Sequence, residues 1–464
     1  MPGPQRSLWW ETLGARPAAR APLDGDRDVD IAIVGAGYTG LWTALHVLGH
    51  DPAARVAVLE AEVAGFGASG RNGGWASALY PQDLSALEAR HGTVIARRLV
   101  RLLRAAVGEL GSRAAAEGIT CDYQRGGTIT LARSGAQRVR LRAELDSARA
   151  RGDGEDDLCW LDAAAAAARC AASGVLGALY TPHCAAIHPA KLAVGLAAAV
   201  ERRGAAILEG TSVERIVPAT QTRRARCVTA RGEVTADVVV RATEGFTPLL
   251  TGAHREVAPL YSLMIGSSPL PGSFFERVGL AARETFTDGR HLLIYGQRTS
   301  DDRLAFGGRG APYPFGSRVA PRHDRDVPVF SRLEQTLAEL FGDVPGEVTH
   351  RWGGPIAMAR DRAPYVRVDR RAGTAAAGGY VGDGVVMSFV AGRSLAAGIC
   401  GEEDPAEGLP FLGHRAADWE REPLRWLGIT AALRIAQLAD ARETHTDTTS
   451  RATGLLERIV ASHS

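Results

Sequence analysis

"DVDIAIVGAGYTGLWTALHVL", residues 28–48, sets a short apolar strand, a glycine turn and an apolar-faced helix end to end. Residues 31–34 are continuously apolar, and Leu41, Ala44, Leu45 and Leu48 fall on one helical face. Gly35, Gly37 and Gly40 fit G-x-G-x-x-G, with Thr39 inside the same turn. In that pattern the first glycine makes the tight turn, the second admits a pyrophosphate and the third lets helix pack on strand. The helix N-terminus then offers free N–H groups and a partial positive charge to phosphates. A second strand, "RVAVLEA" (55–61), brings Glu60 to a position that suits hydrogen bonds from ribose hydroxyls. Strand, turn, helix and acid together predict a dinucleotide site.

The next stretch separates NAD from FAD. After an NAD-type acid the chain is expected to enter another crossover helix. Instead "GFGASGRNGGW" (65–75) places five glycines in eleven residues. Ser69 and Arg71 can reach phosphate, and the backbone of Gly70, Asn72, Gly73 and Gly74 can lie along a pyrophosphate and a flat ring. Trp75 becomes a candidate pocket wall. The segment favours FAD.

Composition narrows the field. The 464 residues are 45% hydrophobic and 23% charged, with a net charge of +2. That balance suits a large soluble protein and gives no reason to expect a nucleic-acid or acidic-membrane partner. Lys191 is the only lysine, so a mechanism needing one has a single candidate. The six cysteines lie far apart with no C-x-x-C pair, against a zinc knuckle or a disulfide framework. No metal site is expected, since H-E-x-x-H and close Cys/His clusters are absent from the sequence. "GASGR" lacks the last glycine of a nucleophile elbow, and Lys191 stands in no P-loop. The opening residues lack a signal-peptide apolar core and no run suits a membrane span, so a cytoplasmic location is expected.

Residues 1–27 read as an arm whose Trp9-Trp10 pair packs onto the body. Helical stretches alternate with strands over 82–180, and "HPAKLAVGLAAAVERRGA" (188–205) is a helix with proline near its start. Residues 250–350 look strand-rich. "GGYVGDGVVMSFVAGRSLA" (378–396) repeats the strand, glycine turn and helix pattern, with a helix expected to start near Val386. Nucleotide-binding elements therefore recur near the start, middle and end. That scatter predicts a cofactor domain interrupted by excursions that build a second domain.

These residues resemble the FAD-dependent oxidoreductases of the D-amino acid oxidase superfamily, which includes glycine and sarcosine oxidases. "GASGRNGG" is nearest in wording to gamma-glutamylputrescine oxidase. The likeness recurs at "HPAKLAVGLA", "RATEGFTP", "HRWGGPIAMARDRAPYV" and "GGYVGDGVVMSFVAGRSLA", spanning roughly 28–400. The resemblance implies an α/β (α+β) fold. A discontinuous, Rossmann-like FAD domain of glutathione-reductase type would occupy 28–80, 185–250 and 350–402. An antiparallel-sheet substrate domain would occupy 81–184 and 251–349, and a helical extension 403–464. That extension suits either a cap on the body or a dimer contact.

By position, the resemblance gives Gly35, Gly37, Thr39, Gly40 and Glu60 to the ADP half of FAD. Ser69, Gly70, Arg71, Asn72, Gly73 and Gly74 would line the path from pyrophosphate to flavin. Val213 would meet adenine through its backbone, and Ala242, Thr243 and Gly245 would close over the nucleotide. Gly382, Gly384, Val385, Val386 and Met387 would pass the pyrimidine edge of the flavin.

The chain departs from sarcosine oxidases at three places. Val386 stands about where they carry a carboxylate-binding lysine, and Ala305 where they carry an oxygen-activating one. "GGPIAMARD" lacks the cysteine that tethers their flavin. Non-covalent FAD follows, with oxygen or another acceptor taking the electrons. The resemblance implies hydride transfer from the carbon beside an amine to flavin N5, giving an imine that water hydrolyses. Tyr295, Arg309 and Trp352 would meet the small-molecule amine or amino-acid substrate, with Arg309 as a carboxylate or phosphonate anchor. Each has a plainer reading: Tyr295 as an interface-packing residue, Arg309 as a surface ion pair, Trp352 as core. His188 reads as a helix-entry cap, and His350 is open.

Overall fold

The computed structural model describes residues 7–446. Residues 1–6 of the expected arm and 447–464 of the expected C-terminal extension lie outside the described residues.

Ile31–Val34 forms the strand its sequence predicts, and its side chains alternate between two cores. Ile31 and Ile33 face a helical layer, whereas Ala32 and Val34 face a small sheet. The neighbouring strand Val56–Leu59 divides in the same way, with Val56 and Val58 on the helical side and Ala57 and Leu59 opposite. This alternation fixes the register, because a slip of one residue would exchange the two cores.

Both strands belong to a six-stranded sheet of order Tyr365–Asp369, Thr374–Gly378, Val238–Arg241, Ile31–Val34, Val56–Leu59, Ala206–Leu208. Every pairing in it is parallel except that of the edge strand Tyr365–Asp369. One face carries the helices Tyr38–His50, Pro189–Arg202 and Gly384–Cys400, and the other carries the four-stranded sheet of Arg27–Asp28, Gly232–Ala236, Ala225–Thr229 and Val213–Val217. The Ala225–Ala236 hairpin stands where the sequence predicts a polar hairpin between the strands of "AILEGTSVERIV" (206–217) and "ADVVVRATEG" (236–245).

The second large sheet has eight strands, in the order Val348–Met358, Ala258–Ser267, Leu304–Gly308, Ile294–Arg298, Thr285–Asp288, Thr128–Ala132, Gly177–Thr181, Cys159–Leu161. It is antiparallel except where Thr285–Asp288 runs parallel to Thr128–Ala132. Val348–Met358 straddles the expected boundary at 350 and pairs along its length with Ala258–Ser267.

Residues 250–350 are less uniformly stranded than the sequence suggested, because Val327–Phe341 is a helix. Asp326 caps it through Val329 N–H, and Pro328 lies in its first turn. Val329, Phe330, Leu333, Leu337, Leu340 and Phe341 bury one face against the eight-stranded sheet. The C-terminal helix Leu424–Thr446 is pinned to the loop between Thr285–Asp288 and Ile294–Arg298, where Asp440 accepts the N–H groups of His291 and Leu292. No helix among the described residues is long and apolar enough to cross a membrane.

Candidate active site

The glycine turn after Val34 is closed by backbone packing. Gly35 has φ +106°, and a Cβ there would lie 2.5 Å from the Ala242 carbonyl oxygen. A Cβ on Gly40 would lie 2.0 Å from the Gly35 oxygen, so the third glycine lets the helix sit on the strand. Gly37 is the N-cap of Tyr38–His50 and supplies no side-chain cap. Glu60 reaches into the turn, accepting hydrogen bonds from Ala36 N–H at 2.8 Å and Glu62 N–H at 3.0 Å. Burial pushes its carboxyl up to about 7 against those two bonds. Thr39 is buried, its hydroxyl 3.0 Å from that of Tyr380.

The polar side chains of the glycine loop are corrected by the structure. Arg71, expected at phosphate, is buried, with its guanidinium donating to Asp324 at 3.1 Å and the Gly353 carbonyl at 2.9 Å. Ser69 accepts the Tyr38 N–H at 2.8 Å and so caps the helix that Gly37 leaves uncapped. Asn72 folds onto its own loop, donating to Ala68 and Ser69 carbonyls and accepting from Gly74 N–H. These side chains shape the loop, and its backbone is what can face a cofactor.

Indoles brace the other side of the loop. Trp10 Nε1 lies 3.0 Å from where a Gly70 Cβ would stand, Trp352 Nε1 donates to the Arg71 carbonyl at 2.9 Å, and Trp9 Nε1 donates to the Asn72 carbonyl at 2.8 Å. Trp9 and Trp352 meet edge to face at 6.2 Å. Trp352 is 1% exposed within a core formed with Leu8, Trp9, Met264 and Ala305. Its expected role as a substrate contact is therefore corrected to that of a core residue and loop brace.

Tyr295 packs directly on the glycine loop. A Cβ on Gly73 would lie 2.8 Å from its ring, and one on Gly307 would lie 2.6 Å from it. Its hydroxyl is 2.7 Å from Ser262 Oγ, and Trp75 meets its ring edge at 6.2 Å. Burial raises the phenol above its usual range, against the Ser262 bond and the charge of Arg309. Gln297, two residues on, donates to the Gly73 carbonyl at 2.7 Å. Around this loop two buried polar atoms lack partners among the described residues: Trp75 Nε1–H and Gln297 Oε1. One orphaned donor and one orphaned acceptor beside bare backbone fit a flat polar ring.

Arg309 closes the site from the other direction. It donates to the Val381 carbonyl at 2.5 Å and lies 3.1 Å from where a Gly382 Cβ would stand. Gly382 has φ +103°, a conformation suited to glycine. The following helix begins at Gly384, two residues before the expected Val386. Its N-cap, Asp383, makes no side-chain cap. The side chains of Val385, Val386 and Met387 point into the core, so only the backbone of this turn is available to a ligand. Burial pushes Asp383 up to about 6, against the charges of Arg309 and Arg362.

Two further segments expected near the nucleotide are irregular or tightly packed in their backbone. Val213 lies at an irregularity: it pairs with Thr229 while Arg215 pairs with Val228, leaving Glu214 out of register. A Cβ on Gly245 would lie 2.7 Å from the Pro355 oxygen, which wedges the Ala242–Gly245 turn between the glycine turn and the eight-stranded sheet. Thr243 Oγ1 lies 2.8 Å from Thr247 Oγ1.

The sequence reading missed Glu244, in the middle of that turn. It has φ +41°, and its carboxylate accepts from Gly379 N–H at 2.9 Å and from Tyr380 and Ala357 N–H groups at 3.3 Å. One side chain thus ties a strand of the eight-stranded sheet to the turn before Gly382. Burial pushes this carboxyl up to about 7.

His188 is the N-cap of Pro189–Arg202, its Nδ1 accepting Lys191 N–H at 3.2 Å, and His350 Nε2 lies 2.9 Å from Glu11. Lys191 Nζ donates to both Asp122 oxygens at 3.0 and 2.9 Å.

A family model described as FAD dependent oxidoreductase matches residues 30–397. The gamma-glutamylputrescine oxidoreductase of Escherichia coli is 31% identical over 392 residues, covering 83% of this chain and 87% of that protein. A probable oxidoreductase OrdL of Rhizobium meliloti is 28% identical over 397 residues, covering 84% and 87%. Among solved structures, glycine oxidase from Geobacillus kaustophilus superposes with a TM-score of 0.70 at 22% identity, covering 84% of this chain and all of that one. The bare glycine turn, the Glu60 acid, the braced loop and these matches converge: the chain belongs to the FAD dependent oxidoreductase family and is an FAD-dependent enzyme.

Proposed function

We propose that this enzyme oxidises the C–N bond of an amine or amino acid, using non-covalently held FAD. The observation that carries the reading is the meeting of Tyr295 with Gly73 and of Arg309 with Val381, which sets two side chains of the substrate sheet against both glycine segments. The name of the Escherichia coli relative supports an amine substrate. Bound FAD supplies a hydride acceptor at N5.

The chain's own residues have three tasks. The first is to orient the substrate, with Arg309 offering its remaining N–H groups to a carboxylate. The second is to present a neutral amine. An alkyl amine two to three pK units above ambient pH costs roughly 3–4 kcal/mol to deprotonate, and a dry pocket walled by Tyr295 and Trp75 lowers that cost. The third is to exclude water until the imine forms, after which water hydrolyses it. The phenol of Tyr295 stays protonated throughout and can donate a hydrogen bond. All six cysteines are free, in keeping with a reducing cytoplasm.

Anaerobic mixing with a panel of amines and amino acids, followed by flavin absorbance, tests the reading. Bleaching by at least one amine is expected; an unchanged spectrum across the panel would sink it. Acid precipitation should release all the yellow colour into the supernatant, and a coloured pellet would refute non-covalent binding.

A second reading passes the electrons to an acceptor other than oxygen. It is favoured by Ala305, fully buried and apolar, and by the sole lysine being held at Asp122. Reoxidation of reduced enzyme in aerated buffer separates the two. A rate at or above amine turnover supports an oxidase, and a slower rate supports a dehydrogenase.

A further inference from the structure

Arg151 ends the helix Gly135–Arg151 and is 7% exposed. Among the described residues no carboxylate lies within 4 Å of its guanidinium and no acceptor takes its N–H groups; Nε is buried without a partner. Glu144, on the same helix, acts on it electrostatically but forms no ion pair with it. Arg71, equally buried, has both a carboxylate and a carbonyl. The rest of the Arg151 guanidinium opens onto a pocket, where its N–H groups are offered to an anion from outside the chain.

Arg151 lines a pocket of about 290 Å³ whose other walls come from the helix Thr93–Ala116, from Gly152, Asp153 and Asp157 in the loop that follows, and from the turn at His183. The charges around it do not cancel. Arg104 pairs with Asp153 at 2.8 Å and Asp157 at 3.3 Å, and His183 lies 2.9 Å from Asp157. Those two acids are therefore engaged. Arg97 and Arg101, one turn apart on the helix, have no ion pair among the described residues and join Arg151 as uncompensated cations. Gly152, with φ +94°, lets the chain turn away directly after Arg151, and a Cβ there would lie 3.3 Å from Arg97 Nη2.

We propose that this pocket binds a phosphate group, either as free phosphate or as the headgroup of a small phosphomonoester. Three guanidinium groups converging from two helices match the several acceptor oxygens and double charge of such a group, and a planar fork binds phosphate in bidentate fashion. The volume admits the phosphate with a few further heavy atoms and excludes a long polymer from full entry. The site involves none of the residues placed at the flavin or the substrate.

Calorimetric titration of the FAD-loaded enzyme tests this, with inorganic phosphate and glycerol 3-phosphate as separate probes and chloride at matched ionic strength as control. Saturable binding of at least one phosphate probe, with a Kd of about 1 mM or tighter, is expected. Arg151→Met should weaken it at least tenfold, and the exposed double change Arg97→Ala/Arg101→Ala should do so without disturbing a core. If both probes bind alike, the phosphate group alone is recognised; if only the ester binds, the ligand is a phosphorylated metabolite. Heats no larger than those of chloride, or an affinity unchanged by the Arg97/Arg101 pair, overturn the proposal. The double variant keeps the test decisive if Arg151→Met fails to fold.

Discussion

Trp9 donates its indole N–H to the Asn72 carbonyl at 2.8 Å, joining the N-terminal arm to the middle of the glycine loop. Trp9→Phe keeps most of the packing but leaves that carbonyl without its donor, at a cost of about 1–3 kcal/mol. A lower melting temperature and easier flavin release, followed by flavin fluorescence during heating, are expected. Trp352→Phe should act likewise at the Arg71 carbonyl. Because the two indoles touch, the double variant should lose less than the sum of the single losses.

Gly40→Ala should abolish cofactor binding. Its Cβ would sit 2.0 Å from the Gly35 oxygen, and neither backbone can yield without opening the turn. The flavin-to-protein ratio of purified variant, read from its absorbance spectrum, should fall to near zero. A yellow Gly40→Ala protein would mean that the turn does not hold the nucleotide.

Acid should destabilise the enzyme through His188. Burial and the charge of Lys191 lower its imidazole to about 4 in the folded state, below the 6.5 of an exposed histidine. Stability is therefore complete above pH 6.5 and is lost as pH falls towards 4, by roughly 3 kcal/mol for a shift of about 2.5 units. His188→Asn keeps a capping oxygen for Lys191 N–H and cannot charge. Urea midpoints measured from pH 7.5 to 4.5 should fall less steeply for the variant than for the wild type.

Arg309→Met separates recognition from chemistry. Loss of a charge-assisted contact worth about 1.5–3 kcal/mol should raise KM by roughly 10- to 150-fold for carboxylate-bearing amines. Amines without a carboxylate should be affected little. Equal losses for both classes would show that Arg309 serves the fold through Val381 and does not read the substrate.

The cofactor half was legible because its signals are local. Apolar alternation in Ile31–Val34 and the spacing of Gly35, Gly37 and Gly40 lie within ten residues and fix strand, turn and helix together. The polar side chains were not legible, since their partners are remote. Arg71 looks like a phosphate ligand until Asp324, 253 positions away, is seen to hold it. Trp352 looks like a pocket aromatic until its N–H is traced to the Arg71 carbonyl. Glu244 did leave a signal, an acid in the turn where the family usually carries asparagine. Asparagine tolerates positive φ, and a longer acid held there needs something to bind. The helix Val327–Phe341 was readable as well, from Asp326, Pro328 and apolar residues at helical spacing.

The brace behind the glycine loop also sets an order of events during synthesis. Trp9 and Trp10 leave the ribosome long before Trp352, the indole they pack with, and Glu11 long before its partner His350. The arm's contacts with Asn72 and Gly70 can form early, but those with Trp352 and His350 must wait for the later residues. Until then the loop at Arg71 lacks Trp352, Asp324 and the Gly353 carbonyl together. Stable capture of FAD is thus a late step, and fragments ending before about residue 350 should emerge colourless however well their first strands fold.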